Sequence, residues 1–239
     1  MGMIKMKEKS IFYGEYFDLV FQNENKTAIS FWQDQIKKYG EPVLELACGT
    51  GRITIPVAET GFNITGIDIS ENMINQARSK TTEKNLDINF MIKDMRSFNL
   101  DNKFSLIFIP ANSFSHLIPL KDIESCFQSI KKNLDDDGKF IIDIFNPDFS
   151  ILNRDQNQRY PFEEIIDPET KEKVKITQSN HYEKSSQVNH IKFYYELPQD
   201  KEERVEEIKM RIFYPQEIDT LLKYNGFKIG LTASFRRIL

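Results

Sequence analysis

Apolar residues are distributed along residues 1–147 in two alternating patterns. Short, nearly continuous apolar runs predict buried strands, and these lie at 43–47, 63–67, 88–92, 104–109 and 139–145. Apolar residues spaced three or four apart predict helices, and these lie at 10–38 (two helices), 52–60, 71–80 and around 123–134. Strands that alternate with helices form parallel sheets covered on both faces, with right-handed connections. The pattern therefore predicts an α/β fold with a doubly wound, mostly parallel sheet.

Residues 147–214 follow a different pattern, in which apolar and polar residues alternate with a period of two. Ile191, Phe193, Ile208 and Ile212 are on the apolar side of this alternation. Such alternation is typical of antiparallel strands with one face in water. We therefore expect an inserted antiparallel β subdomain that forms a lid or a homodimer surface.

The remaining residues extend the first domain. Residues 216–224 are predicted to form a helix, which ends at Asn225-Gly226, and residues 227–233 a further strand. We accordingly expect residues 1–146 and 215–239 to form one domain that residues 147–214 interrupt. Only the four residues Arg236-Arg237-Ile238-Leu239 remain as material for a closing strand, so we expect either that this strand is short or that the chain lacks its end.

Composition and charge exclude several classes of protein. The net charge of −4 comes from interleaved acidic and basic residues, which leaves no basic face for a nucleic acid. No apolar run approaches the length of a membrane span. Cys48 and Cys126 lack CxxC partners, so we expect neither a metal site nor a disulfide framework. Few cysteines and no secretory signal favour the cytoplasm.

The most informative stretch is VLELACGTGR at residues 43–52, where a predicted strand leads through a Gly-rich turn into a helix. This geometry lies at the sheet edge where open α/β folds bind ligands, and Gly49 and Gly51 allow close approach to the backbone. A dinucleotide turn requires a third glycine at position 54, which is Thr54 here. A nicotinamide enzyme therefore stays a weaker alternative.

Three ordered motifs make the chain resemble the class I S-adenosylmethionine-dependent methyltransferases. VLELACGTGR resembles their first motif, GIDIS at 66–70 their second and KDMRSF at 93–98 their third. The resemblance implies a Rossmann-like fold with a seven-stranded type of sheet and S-adenosylmethionine as cofactor. It also implies that Asp68 binds the ribose hydroxyls, that Asp94 and Met95 contact the adenine, and that Glu45 reaches the methionine end.

The resemblance extends to further cofactor-binding positions. Arg52 would pair with the methionine carboxylate or lie in solvent, and Tyr16 would contact the cofactor from the N-terminal helix or serve only for packing. The expected set also includes four apolar positions: Ala47, Ile69, Met73 and Ala111. Within the superfamily, LACGTG, DMRSF and NSFSHL (112–117) are similar to small-molecule enzymes of the amino-sugar N,N-dimethyltransferase kind.

Two residues are candidates for catalysis, each with a plainer alternative. His116 follows the fourth strand, where the acceptor meets the methyl group in similar enzymes. A lone histidine, however, is more often simply a polar residue at the surface. Tyr13 belongs to an aromatic helix that closes over the cofactor or serves only for packing. The sequence shows no obvious set of residues for a strong base, which favours either an acceptor nitrogen or a mechanism of positioning and desolvation. The resemblance to small-molecule enzymes implies a small-molecule acceptor.

Two other functions stay open or are disfavoured on the sequence. A non-catalytic module that binds the cofactor or docks a partner is the alternative to the enzyme. DNA amino-methyltransferases carry an Asn/Asp-Pro-Pro-aromatic run after the fourth strand. The sequence at this place is Ile109-Pro110-Ala111-Asn112-Ser113, which does not match, so modification of a nucleic acid is disfavoured.

Overall fold

A computed structural model describes residue 14 and residues 16–21, 25–197 and 203–230, which divide into two compact units. The first unit comprises α1 (Tyr16–Phe21), α2 (Asn25–Tyr39), β1 (Val43–Leu46), α3 (Thr54–Glu59), β2 (Ile64–Asp68), α4 (Glu71–Glu83), β3 (Asn89–Ile92), β4 (Phe104–Ile109), α5 (Leu120–Asn133) and β5 (Leu134–Ile142). The second comprises α6 (Phe149–Leu152), β6 (Tyr160–Ile166), β7 (Lys173–Glu183), β8 (Val188–Glu196), β9 (Arg204–Arg211) and α7 (Pro215–Tyr224). No helix within the described ranges has the length and apolarity that a membrane crossing requires.

The first unit contains a five-stranded sheet in the order β3-β2-β1-β4-β5, and every pairing is parallel. The predicted α/β fold with a parallel sheet is therefore confirmed. The seven-strand count is only approximate, because the described residues supply five strands to this sheet. Residues 227–230 of the predicted last strand do not form a β-strand in the structure. Phe227 N–H instead donates to Leu222 O (3.0 Å) at the end of α7. Residues 231–233 lie outside the described ranges.

Helices pack on the sheet through the apolar stripes that the sequence predicts. Trp32 and Ile36 of α2 are buried in a cluster with Val43 of β1 and Phe108 of β4. The Trp32 ring stacks on Phe108 with 4.1 Å between centroids. A second cluster packs α4 on β3 through Ile74, Ala77 and Phe90. Burial of this kind stabilises the folded state by about 25 cal/mol per Å² of buried apolar surface. The packed helices therefore hold the strand ends in fixed positions.

The second unit contains a four-stranded antiparallel sheet in the order β6-β7-β8-β9. The predicted inserted antiparallel sheet is confirmed, but β6 was missed. Its sequence YPFEEII contains Pro161, which is tolerated in this strand because β6 lies at the edge of the sheet. Phe193 and Ile208 of the predicted apolar face are buried within the chain itself, while Ile191 and Ile212 are half-buried.

Helix α7 makes its described polar contacts with the antiparallel sheet. Arg211 donates to Glu217 Oε1 (2.7 Å), and Gln187 Nε2 donates to Glu217 Oε2 (3.3 Å). These bonds join α7 to β9 and to the β7–β8 connection. The grouping of residues 215–239 with 1–146 as one functional domain stays a prediction.

Candidate functional site

The Gly-rich turn follows β1, at the point where the order of the sheet strands reverses. Strand β1 lies between β2 and β4, and open α/β sheets bind ligands in the crevice at such a switch point. Ala47, Gly49 and Gly51 all have positive φ, at 56°, 56° and 78°. Gly51 N–H donates to Cys48 O (3.0 Å), and Gly51 O accepts from Ile55 N–H (2.9 Å) as α3 approaches. The turn is therefore tightly fixed before any ligand binds.

The two glycines of this turn are required for different reasons. A Cβ on Gly49 would lie 3.7 Å from the Phe17 ring, which is an ordinary contact. A Cβ on Gly51 would lie 2.8 Å from Ile55 Cδ1 and 3.0 Å from Phe90 Cζ. The sequence interpretation assigned both glycines to close approach of a ligand. The structure adds that the space beside Gly51 is filled by the protein's own core.

Asp68 lies at the end of β2, directly against the Gly-rich turn. Its Oδ2 accepts from Gly49 N–H (2.9 Å), and its Oδ1 accepts from Ser70 N–H (2.8 Å). Burial raises the pKa of Asp68, and these backbone N–H groups oppose the shift. The structure thus brings together two residues that the sequence placed in one site. Each carboxylate oxygen keeps a further lone pair with which to accept a hydroxyl.

Two apolar residues that follow Asp68, Ile69 and Met73, differ greatly in solvent exposure. The Ile69 side chain is 61% exposed, which is unusual for a large aliphatic residue beside a buried carboxylate. Met73, by contrast, is 3% exposed and belongs to the interior face of α4. Ile69 is thus the residue of this pair that is accessible to a planar apolar ligand.

Glu45 is a buried carboxyl in the middle of β1. Thr54 Oγ1 donates to Glu45 Oε2. Burial raises the pKa of Glu45 to about 8, the Thr54 bond and the charge of Arg52 lower it, and the charge of Asp68 raises it further. A carboxyl with this pKa is partly protonated near neutral pH. It can therefore both accept a hydrogen bond and donate one.

The raised pKa of Glu45 makes the stability of the ligand-free protein depend on pH. Between about 4.5 and 8, the folded state keeps a proton that the unfolded state releases, so the free energy of unfolding falls as pH rises through this window. Glu45→Gln keeps an oxygen for Thr54 and removes the titration. We expect the variant to be more stable than wild type at pH 8 by on the order of 1–3 kcal/mol and nearly equal at pH 5. Urea unfolding at both pH values measures this, and parallel pH profiles would contradict it.

Asp94 follows β3 and is held by a neighbouring arginine. Arg96 donates from Nε and from its terminal nitrogen to Asp94 Oδ2 (3.0 and 2.6 Å), and also bonds Asp122 (2.7 Å). The Arg96 hydrogen bonds hold the pKa of Asp94 below its usual value. Met95, between them, is half-buried. Both oxygens of Asp94 are thus engaged by Arg96, and its contact with adenine stays a prediction.

The N-terminal helix α1 packs against the Gly-rich turn through residues that sequence analysis missed. Asp18 accepts from Thr50 Oγ1 (2.6 Å) and pairs with Lys80 of α4. The Arg52 guanidinium lies 5.7 Å from the Phe17 ring centroid and 5.6 Å from that of Phe21. Nothing in the sequence indicates the Asp18–Lys80 pair, because its members lie 62 residues apart.

The two tyrosines of the N-terminal prediction have different outcomes. Tyr16 is fully buried in α1. Tyr13 lies outside the described residues. The structure therefore places Tyr16 in the helix that packs on the turn, and the roles of both tyrosines stay predictions.

The end of β4 carries Ala111 in a strained turn that β5 holds in place. Ala111 and Asn112 have φ of 52° and 61°. Ala111 N–H donates to Asp143 Oδ2 (3.1 Å), and Asn112 N–H donates to Asp143 O (3.1 Å). Asp143 was missed by the sequence analysis. A signal existed, because Asp143 interrupts an apolar strand end, IIDIF, much as Asp68 does in GIDIS.

His116, the other catalytic candidate, belongs to the second compact unit. It ends a short 3-10 helix, Ser113–His116, and lies at the surface. Partial desolvation lowers the pKa of His116, which favours the neutral imidazole. A neutral imidazole is able to accept a proton, and its catalytic role stays a prediction.

The fold and this edge of the sheet together define a class. A parallel sheet switches strand order at β1, a turn with two glycines follows that strand, and a carboxylate ends the next strand. This is the arrangement of a class I S-adenosylmethionine-dependent methyltransferase domain. Consistently, a family model described as a methyltransferase domain matches residues 43–138.

Two known proteins that are similar to this chain are named as putative methyltransferases. A putative methyltransferase of Geobacillus sp. (strain WCH70) is 30% identical over 119 residues, which are 48% of each chain. The putative methyltransferase YqeM of Bacillus subtilis (strain 168) is 29% identical over 204 residues, covering 81% of this chain and 76% of YqeM. The chain thus spans about half of the first relative and about three quarters of the second.

Two solved structures illustrate the likeness in fold. An S-adenosylmethionine-dependent methyltransferase from Clostridium acetobutylicum ATCC 824 superposes with a TM-score of 0.71 at 22% identity, covering 88% of this chain and 84% of the other. The sugar N-methyltransferase KedS8 from Streptoalloteichus sp. ATCC 53650 gives a TM-score of 0.70 at 17% identity, covering 89% and 85%. At these identities the likeness concerns the fold alone.

The cofactor of this class is S-adenosylmethionine, and the residues present fit it. Asp68 offers two acceptor oxygens for a vicinal diol, and the exposed Ile69 offers an apolar surface beside them. The Glu45 carboxyl, which can accept or donate a hydrogen bond, and the positively charged Arg52 provide groups for the ammonium and carboxylate of an amino acid at the turn. The ribose, the base and the amino-acid end of the cofactor thus each have matching chemistry at this edge.

Proposed function

We propose that this protein transfers the methyl group of S-adenosylmethionine to a nitrogen of a small-molecule acceptor. The observation that carries the proposal is the Asp68 carboxylate at the end of β2, hydrogen-bonded to Gly49 of the turn after β1. That pair supports binding of a ribose beside a Gly-rich turn at the switch point of the sheet.

The proposed cofactor contacts follow from the positions of the side chains. Asp68 accepts the ribose hydroxyls, while Ile69, Asp94 and Met95 contact the adenine. Glu45 and Arg52 bind the methionine end. The other proposed contacts come from Tyr16, Ala47, Gly49, Gly51, Met73 and Ala111. When bound, S-adenosylmethionine supplies a methyl group already activated by its sulfonium. The protein's task is therefore to orient the acceptor and exclude water.

Nitrogen is the proposed acceptor atom because three carboxyl groups lie at this edge of the first unit. Glu45, Asp68 and Asp143 all have raised pKa values through burial. Such carboxyl groups favour an amine, because they can take a proton from its ammonium form before it reacts and can stabilise the cationic product. The likeness in fold to KedS8, named as a sugar N-methyltransferase, supports the same choice.

Further parts of the proposal concern access, assembly and location. We propose that the N-terminal helix with Tyr13 and the antiparallel sheet act as a lid, and that His116 assists deprotonation of the acceptor. Homodimerisation through the sheet is a weaker proposal, because much of its apolar face is buried within one chain. A cytoplasmic location is proposed from the two cysteines, both of which are free and buried.

A methyl-transfer assay tests the proposed function. The full chain is incubated with methyl-labelled S-adenosylmethionine and a panel of small primary and secondary amines, each matched by the alcohol of the same skeleton. We expect label in amines and not in their matched alcohols, and no label with Asp68→Ala at the same cofactor concentration. Label in the alcohols alone would contradict the nitrogen acceptor. Tight cofactor binding without transfer to any panel member would favour the non-catalytic binding module.

A further inference from the structure

The carboxyl ends of β4 and β5 are joined by Asp143. Parallel pairing runs to Ile109 and Ile142, and Asp143 N–H then donates to Ile109 O (2.9 Å). Asp143 O accepts from Asn112 N–H, and Asp143 Oδ2 accepts from Ala111 N–H, both at 3.1 Å. Two of these hydrogen bonds hold the left-handed residues Ala111 and Asn112, and the third fixes Asp143 to the end of β4.

This turn borders the switch point of the sheet. Strand β4 pairs with β1 on one side and with β5 on the other, so the turn after β4 is the neighbour of the Gly-rich turn after β1. Arg52 of the Gly-rich turn lies close enough for its charge to act on both Glu45 and Asp143. Asp143 thus belongs to the same edge as the proposed methionine-binding groups.

Only one of the two carboxylate oxygens of Asp143 is used by the described part of the chain. Oδ2 accepts from Ala111, whereas Oδ1 accepts no hydrogen bond from any residue in the described ranges. The side chain is half-buried, and burial raises the pKa of Asp143. A partly buried carboxylate is costly unless its oxygens find donors. A donor from a ligand would satisfy Oδ1.

We propose that Asp143 is a substrate-contacting residue, whose Oδ1 accepts a hydrogen bond from the acceptor amine and then takes its proton. The proposal rests on the proposed function and narrows the substrate class to amines that are cationic near neutral pH. An acceptor that arrives as an ammonium first gives one proton to Asp143, which releases it to water. The neutral amine nitrogen then forms its bond to the methyl carbon while the carbon–sulfur bond breaks, and the electron pair stays on sulfur. The product leaves as a methylammonium that carries the positive charge.

The test uses sinefungin, an analogue of S-adenosylmethionine in which a carbon bearing a primary amine replaces the methylated sulfur. Its ammonium stands where the methyl group and the acceptor nitrogen meet. We compare the Kd of sinefungin with that of S-adenosylhomocysteine by calorimetry, in wild type and in Asp143→Asn. The asparagine oxygen still accepts from Ala111 N–H, so the turn after β4 is kept while the negative charge is removed. We define the preference for sinefungin as the Kd of S-adenosylhomocysteine divided by the Kd of sinefungin. We expect this ratio to fall at least tenfold in the variant.

The control is Asp136→Asn, which removes the same charge from an exposed position near the other end of β5. It should leave the ratio of the two dissociation constants unchanged. With a methylated amine in hand, kcat/KM should fall by about 10²-fold or more in Asp143→Asn, as expected on loss of a general base. Asp143→Glu should recover part of that rate.

The outcomes separate this proposal from the proposed function. A sinefungin preference that changes less than threefold in a normally melting Asp143→Asn overturns the contact, even if wild type methylates amines. A lost preference supports the contact, even if no amine in the panel is methylated, in which case the nitrogen acceptor alone fails.

Discussion

Asp68→Ala is expected to weaken binding of S-adenosylmethionine and S-adenosylhomocysteine by about 10²- to 10⁴-fold. In the proposed complex the variant loses two charge-assisted hydrogen bonds to the ribose, each worth about 1.5–3 kcal/mol. It also releases Gly49 N–H and Ser70 N–H, which Asp68 holds in the ligand-free protein. Isothermal titration with both nucleosides measures the loss.

A matched pair of variants separates binding from folding in this experiment. Asp68→Asn keeps one acceptor oxygen, so we expect its affinity to lie between those of wild type and Asp68→Ala. Asp87→Ala removes a carboxylate from an exposed position after α4 and should bind as wild type does. NAD should bind none of the proteins tightly. An unchanged dissociation constant in a folded Asp68→Ala protein would refute the ribose assignment.

The parts of the fold that follow from local patterns were predictable from the sequence. Strand β4 was predicted at 104–109 and is found there, because a continuous apolar run between Lys103 and Pro110 has no other way to be buried at both faces. Helix α4 begins after Ser70, whose hydroxyl accepts from Met73 N–H (3.4 Å) as an N-cap. Backbone propensity and burial agree at both elements.

The parts that depend on distant pairs were not predictable. Asp18 and Lys80 meet across the Gly-rich turn, and Arg96 bonds Asp122, which lies 26 residues further along the chain. One sequence gives no information on which charges pair over such separations. Edge strand β6 was missed because its alternation is weak and contains a proline. The candidate site was thus predictable where motifs carry it, and not where tertiary partners hold those motifs.

Gly51→Ala is expected to destabilise the protein by about 2–5 kcal/mol. A residue with a Cβ at the φ of 78° costs about 1–2 kcal/mol. The new Cβ would also lie 2.8 Å from Ile55 Cδ1 and 3.0 Å from Phe90 Cζ, and overpacking of this kind costs about 1–3 kcal/mol. Ile55 and Phe90 are both buried, so neither side chain has free space into which to move. Urea denaturation of the ligand-free protein measures the change.

Gly49→Ala is the matched control, since it imposes the same change of residue two positions earlier in the same turn. Its φ of 56° carries a similar conformational cost, but its Cβ would only touch the Phe17 ring at 3.7 Å. We expect this variant to lose about 1–2 kcal/mol, which is the conformational part alone. The difference between the two variants therefore measures the packing of Gly51 against Ile55 and Phe90. Equal losses would mean that these side chains yield without cost, and that Gly51 is needed for its backbone conformation and for the cofactor rather than for the core.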